Sequence, residues 1–345
     1  MKIGILTFHE ASNFGALLQS YALQQALTKL GAEPQFVNIR RKAQGQAPVV
    51  SPFAKRIQDM KEKRDSLFKA FQEKYLKQSP LFEMNDDIDS SFDAFIAGSD
   101  QVWNLSIPEV DARYFLPFAK PEKRFSYAAS FGSSSVPESQ REWISKQLSL
   151  FKEITVREEN GKALVKDLTG RDAKVCVDPV FLLDRDQWKA IADADKEVSE
   201  QSYLLLFLLQ YDPAFVQMAQ QAAKDKNLAL KVVTAGFMPQ LGFDAWTNTS
   251  VNRWVSLISN ADHVYSDSFH AMAFSLMFGR KLNRKPLGGD LAKRNGRTEE
   301  LLALMGLETD SSKTIQADGD NVMEKLSQRR AASFDYLKGI VNNAN

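Results

Sequence analysis

A single cysteine, Cys176, leaves this 345-residue chain without a disulfide framework or a cysteine-rich metal site. Histidine is almost as scarce. His9, His263 and His270 are the three present, and no spacing of carboxylates completes a zinc set around them. Charge of one sign is missing too: 44 basic side chains face 43 acidic ones, for a net charge of +1. With no global field to draw in a polyanion, nucleic-acid binding as a main task is disfavoured. No apolar run approaches the length needed to cross a bilayer. The opening run, Ile3 to Phe8, is too short for a signal-peptide core and passes into a helix without a cleavage-like end, so the expectation is a cytoplasmic protein. The first loop holds one glycine, Gly15, which rules out a dinucleotide fingerprint, and no G-x-x-x-x-G-K phosphate loop occurs.

What remains is an ordinary globular composition, 44% apolar and 25% charged, in a chain longer than one hydrophobic core usually supports. Lys2 to Phe8 reads as a buried parallel strand. A loop through Asn13 leads to a helix from Phe14 to about Leu30, closed by Gly31, and Pro34 to Ile39 follows as a second strand. Strands and helices alternate from there on, which predicts parallel, doubly wound sheets. Phe53 to Tyr75 is a charged, amphipathic region. It reads as a covering helix pair, with shallow contact with a membrane surface as the alternative. The polar segment from Asp184 to Gln201 is the linker candidate. Residues 1–184 and 185–345 then form two α/β halves with a cleft between them.

The stretch from Asp262 to Gly279 carries the most chemistry. His263-Val264-Tyr265 is a short buried strand, and Ser266-Asp267-Ser268 supplies helix-capping residues. A helix with Met272, Ala273, Leu276 and Met277 at buried spacing follows. His270 falls in its first turn, beside free N–H groups and the positive end of the dipole, where anions bind. The plainer alternative is a histidine tucked against the helix start. Ligands of open α/β sheets lie at the carboxyl ends of strands. Three more loops qualify on that ground: Gly98 to Asn104 with Asp100, Ser130 to Ser133, and Arg157-Glu158-Glu159. For Asp100 a simple capping role is the alternative. Cys176 reads as a small core residue. A basic, glycine-rich loop after Lys281-Leu282-Asn283 holds Arg284, Lys285, Lys293, Arg294 and Arg297.

Taken in order, these segments resemble the polysaccharide pyruvyl transferase family. The matching residues are Asn13-Phe14-Gly15-Ala16-Leu17-Leu18-Gln19 and Gly98-Ser99-Asp100-Gln101-Val102-Trp103-Asn104. Ser126-Tyr127-Ala128-Ala129-Ser130-Phe131-Gly132, Val156-Arg157-Glu158, Asp178-Pro179-Val180 and Asp267-Ser268-Phe269-His270 follow, and Arg297 with Leu301-Leu302 closes the set. The likeness spans about residues 1 to 310. The family's glycine after the histidine is Ala271 here, and its serine before Val-Arg-Glu is Thr155.

The resemblance implies a fold of two Rossmann-like domains facing a cleft, as in GT-B glycosyltransferases. It also implies transfer of pyruvate from phosphoenolpyruvate to two sugar hydroxyls, with no cofactor or metal. On that reading the donor's phosphate and carboxylate need cations and amides. Arg157 and Arg297 stand first, with Ser268 and Lys285 beside them; for Lys285 and Arg294 a solvated surface role is the alternative. His270 is the candidate acid that protonates the methylene carbon, and Asp100 the candidate base. Asn13, Gln19 and Trp103 suit a sugar acceptor through amide hydrogen bonds and an aromatic face; capping, loop bridging and core filling are their alternative roles. The acceptor is expected on the N-terminal half and the donor on the C-terminal half, and a lipid-linked acceptor would bring the protein to the inner membrane face. Two rival functions stay open: a nucleotide-sugar glycosyltransferase, and a non-catalytic sugar-binding descendant.

Overall fold

The computed structural model describes residues 1–40, 51–108, 110–196, 201–307 and 309–342. Strand β1 (Lys2–Leu6) is buried on both sides and leads to helix α1 (Phe14–Lys29). Asn13 caps α1, its side-chain oxygen accepting from the Ala16 amide at 3.1 Å. Gly31 ends it in a left-handed conformation (φ +86°), as a helix C-terminus demands. β2 (Glu33–Ile39), β3 (Gln78–Phe82), β4 (Ala94–Ala97) and β5 (Arg124–Ser126) complete a parallel sheet in the order β3-β2-β1-β4-β5. Ile3 pairs with Pro34 on one side and Ala94 on the other. Two short strands, β6 (Thr155–Val156) and β7 (Lys174–Val175), extend this sheet through bridges from Phe125 to Glu153 and from Ala129 to Val156. Helices α3 (Glu138–Ser149) and α4 (Glu159–Thr169) flank them.

One expectation changes in this half, and one strand, β3, is new to it. Phe53 to Tyr75 is not a helix pair but one 24-residue helix, α2 (Pro52–Tyr75), started by Ser51 and by Pro52 at its first position. It carries no interior glycine or proline to break it. Strand β3 has no apolar alternation and contains Pro80, both features of an edge strand.

The segment read as a linker is also largely structured. Asp184 and Gln187 form a reciprocal capping box that starts helix α5 (Arg185–Asp193), while residues 197–200 lie outside the described set. The second sheet, also parallel, has the order β11-β10-β8-β9. It is built from β8 (Tyr203–Leu208), β9 (Ala229–Thr234), β10 (His263–Ser266) and β11 (Lys281–Arg284). Helices α6 (Pro213–Asp225), α7 (Gly242–Thr247), α8 (Val251–Asn260) and α9 (Phe269–Met277) connect these strands. Two more, α10 (Gly296–Leu304) and α11 (Gly319–Asn342), end the chain.

The two sheets share one hydrophobic core along α1. The Phe14 ring lies parallel to Trp254 of α8 at 5.2 Å and edge-on to Phe207 of β8 at 5.7 Å. From α2, buried Arg64 crosses to donate to the Trp246 carbonyl at 2.7 Å. The last helix returns to the first sheet, where the Tyr336 hydroxyl donates to the Ser126 carbonyl and the Ser333 hydroxyl accepts from the Val177 amide. The halves are thus tied together on both sides of the strand-end loops that carry the candidate residues.

Candidate active site

The loop after β4 carries Asp100 in a left-handed conformation (φ 72°), and the loop after β5 carries Ala128 in another (φ 46°). Such backbone at non-glycine residues persists only where surrounding bonds hold it. Here the Ser130 amide donates to the Asp100 carbonyl at 2.9 Å, and the Ala128 amide donates to the Thr155 hydroxyl at 3.0 Å. The result aims the Asp100 carboxylate at the end of β6, where Arg157 begins.

Arg157 is the hub of the site. Its side chain is 3% exposed and meets three carboxylates: Asp178 at 2.7 Å, Glu158 at 3.0 Å and Asp100 at 3.5 Å. Burial alone would lower its ionisation range, but Glu158, Asp178 and Asp100 outweigh burial and keep it charged. Asp178 behaves reciprocally. Burial pushes its carboxyl up, and the neighbouring His270 and Arg157 overcome this, holding it well below the usual carboxylate range.

His270 is the second residue of α9, behind the N-cap Ser268. Its ring is almost enclosed. Nε2 lies 3.5 Å from Asp178 Oδ2, too long for a hydrogen bond, and has no other partner among the described residues. Nδ1 lies against Gly15 in the first turn of α1, so closely that a Cβ on Gly15 would stand 2.0 Å from it. Position 15 therefore admits only glycine without displacing the ring. The expectation that His270 faces open space directly is corrected: the ring abuts Asp178, and Asp178 faces the hollow.

That hollow, about 420 Å³ out to its mouth, lies between the halves and is lined by Arg157, Asp178, Phe269, Arg297, Glu300 and Arg329, among others. The guanidinium carbons of Arg157 and Arg297 lie 5.3 and 5.6 Å from the centre of the Phe269 ring, within cation–π range. The two arginines that the family resemblance put first thus converge on one phenyl group. Glu300 is pushed upward, first by burial and then by Glu158 and Glu159, with Arg329 opposing at 3.8 Å. A second, wider hollow is a groove of about 2450 Å³ counted out to solvent, bordered by Asn13, Ala16, Asp65, Lys69, Asp100 and Gln101. Asp100 and Arg157 connect the two hollows.

Other expected residues fall elsewhere. Ser268 caps α9, its hydroxyl accepting from the Ala271 amide at 3.4 Å, and does not line the cavity. Lys285 is corrected: its ammonium pairs with Asp212 at the start of α6, away from the arginines. Gln19 is corrected as an acceptor ligand, because it is fully buried and its amide nitrogen bonds Thr7, Ala16 and Ser20 inside the N-terminal half. Trp103 is corrected likewise. It is 1% exposed, packs among Phe115, Phe131 and Phe151, and gives its indole N–H to the Tyr114 carbonyl. The Arg294 side chain lies outside the described set. Asp178 carried no role in the sequence reading, although Asp178-Pro179-Val180 is one of the matched segments. Arg329 had no local signal at all, since it arrives on the returning helix α11.

Two parallel α/β halves with ligand-facing loops between them define the GT-B class of fold. Among solved structures, the chain is similar to the UDP-GlcNAc 2-epimerase of Neisseria meningitidis bound to UDP-GlcNAc (TM-score 0.50, 11% identity, 99% of this chain and 94% of that one). It is also similar to MnaA of S. aureus with UDP (TM-score 0.51, 11% identity, 98% of this chain and 90% of that one). No curated protein matches it. The model of the polysaccharide pyruvyl transferase family matches residues 13–282, and the chain belongs to that family. Among the described residues, no helix is long and apolar enough to cross a membrane.

Proposed function

We propose that the protein transfers pyruvate from phosphoenolpyruvate onto two hydroxyls of a sugar, in a polysaccharide or its lipid-linked precursor, forming a ketal. The observation that carries this reading is the convergence of Arg157 and Arg297 on the Phe269 ring in one cavity, one carboxylate away from His270. Phosphoenolpyruvate presents two anionic groups beside an apolar methylene, which suits a guanidinium group and helix-start amides around a phenyl face. Arg157 already answers three carboxylates. Its task is therefore to hold the cavity wall in shape, while Arg297 and the amides at the start of α9 meet the donor's charge.

The acceptor occupies the wide groove, bordered by Asn13 and Asp100. A proton from His270 reaches the methylene carbon and leaves a cationic centre at the adjacent carbon. One acceptor hydroxyl adds there, phosphate departs, and the second hydroxyl closes the ketal, each hydroxyl releasing its proton. Asp100 is the groove carboxylate placed to take one of them. A lipid-linked acceptor would bring the enzyme to the inner membrane face of the cytoplasm.

The test is incubation with phosphoenolpyruvate and a panel of glycan acceptors, following phosphate release and ketal formation. Phosphate release that depends on the acceptor, with Arg297→Ala raising the donor KM, supports the reading. Turnover of a nucleotide sugar with no phosphate release from phosphoenolpyruvate would replace it with glycosyl transfer. Glycan binding with no turnover of either donor would replace it with a non-catalytic role.

A further inference from the structure

We propose that Asp178 is a positioning residue for the pyruvyl transfer described above, on which this inference rests. One of its oxygens, Oδ2, serves two partners from different parts of the fold: Arg157 Nη1 at 2.7 Å and His270 Nε2 at 3.5 Å. The other, Oδ1, accepts from the Val180 amide at 3.1 Å, and the side chain is 1% exposed. The stop after β7, Asp178-Pro179, thus fixes this carboxylate between the Arg157 loop and the start of α9.

A carboxylate can only accept and carries negative charge, so at 3.5 Å, beyond a formed hydrogen bond, it still favours the hydrogen on the ring nitrogen that faces it. Asp178 therefore sets the neutral His270 ring in the Nε2–H tautomer. Gly15 walls the Nδ1 edge, so the ring cannot flip without moving α1. In that tautomer Nδ1 carries no hydrogen and lies against Gly15 in the turn of α1, whose Asn13 and Ala16 border the groove. The same oxygen seats Arg157. Donor cavity and proton-exchanging ring are registered to each other by one atom.

Asp178→Asn discriminates this from a purely structural role. With the amide oxygen in the Oδ2 place the NH₂ group meets the Val180 amide, and with the NH₂ group there it meets Arg157 and Nε2, so in either setting the full negative charge facing Nε2 is gone. In ¹⁵N-histidine NMR at alkaline pH, with His270→Gln identifying the ring among the three histidines, the wild type should show the Nε2–H pattern and Asp178→Asn a larger share of the Nδ1–H form. kcat for pyruvyl transfer should fall about 10²–10⁴-fold, with the donor KM moving less than about tenfold. Asp178→Glu keeps an acceptor and should retain the Nε2–H pattern with a smaller loss of kcat. It also serves if the asparagine variant does not fold. An unchanged tautomer in Asp178→Asn, a reversed one in a folded Asp178→Glu, or an unchanged kcat in either variant overturns the assignment. If the wild-type protein releases no phosphate from phosphoenolpyruvate, the transfer reading fails, while the NMR arm still decides whether Asp178 orients His270.

Discussion

Asp178 and Asp267 occupy matching places in the two halves, each directly or shortly after a parallel strand and each almost wholly buried (2% and 8% exposed). Their ionisation moves in opposite directions. Burial raises both. At Asp178, His270 and Arg157 overturn that effect and hold the carboxyl down. At Asp267 burial prevails and the value rises to about 6, although the Leu209 and Gln210 amides donate to it at 2.7 and 2.9 Å and oppose the shift. Two amide dipoles satisfy the carboxylate oxygens without offsetting the lost hydration of a full charge; the His270 ring and the Arg157 guanidinium together do. The N-terminal half therefore presents a carboxylate that stays ionised at its strand end. The C-terminal half uses the same residue as a neutralisable brace for the loop after β8.

Removing the cation should break this contrast with the largest effect. Arg157→Met would leave Asp100, Glu158 and Asp178 buried around an apolar chain. The expected loss is about 3–5 kcal/mol of unfolding free energy, read from denaturant melts. A loss below about 1 kcal/mol would mean that the three carboxylates rearrange to water.

The next effect is pH-dependent and belongs to Asp267. An unfolded aspartate titrates near 3.9, and the folded value of about 6 means that the native state binds this proton more tightly. The contribution is thus fully present below about pH 4 and is lost as pH rises through 6, about 2–3 kcal/mol in all. Asp267→Asn should remove that fall from the stability profile. Asp178, shifted the other way, contributes above pH 4 and loses its contribution only as pH drops below it, so the two windows do not overlap. A profile equally steep in wild type and Asp267→Asn would show that this carboxyl is not the group responsible.

Much of the fold was legible because buried parallel strands are near-continuous apolar runs: Ile3 to Leu6, Phe95 to Ala97, Leu204 to Leu208. Asp100 and Arg157 read as lying on loops after strands, and they follow β4 and β6 there. What failed was partnership at a distance. A polar or aromatic residue in a matched motif looks like a ligand contact until its own bonds are known. Gln19 spends its amide nitrogen on Thr7, Ala16 and Ser20, and Lys285 spends its charge on Asp212, 73 positions away. Arg329 reaches the cavity only because α11 folds back, which no local pattern announces. Gly15 reads only as the single glycine of the first loop and as part of a matched segment, whereas its contact is steric and depends on a ring from the other half.

That steric role ranks next. Gly15→Ala puts a methyl carbon where His270 Nδ1 already lies, so the ring or the first turn of α1 must shift. Overpacking of this kind costs about 1–3 kcal/mol, and turnover should fall more than stability does. A fully active Gly15→Ala enzyme would show that the ring tolerates displacement and that its enclosure is not part of the site.

Trp103→Phe should have the smallest effect. It removes the indole donor to the Tyr114 carbonyl but keeps an aromatic ring among Phe115, Phe131 and Phe151. About 1 kcal/mol of stability is at stake. Because Trp103 is a core residue of the first sheet, the acceptor KM should stay within about twofold, since no indole hydrogen bond or ring face is presented to the sugar. A tenfold rise in acceptor KM without a matching loss of stability would return Trp103 to the acceptor groove, and Asp100, three residues earlier on the same loop, would then be the first neighbour to examine as the base.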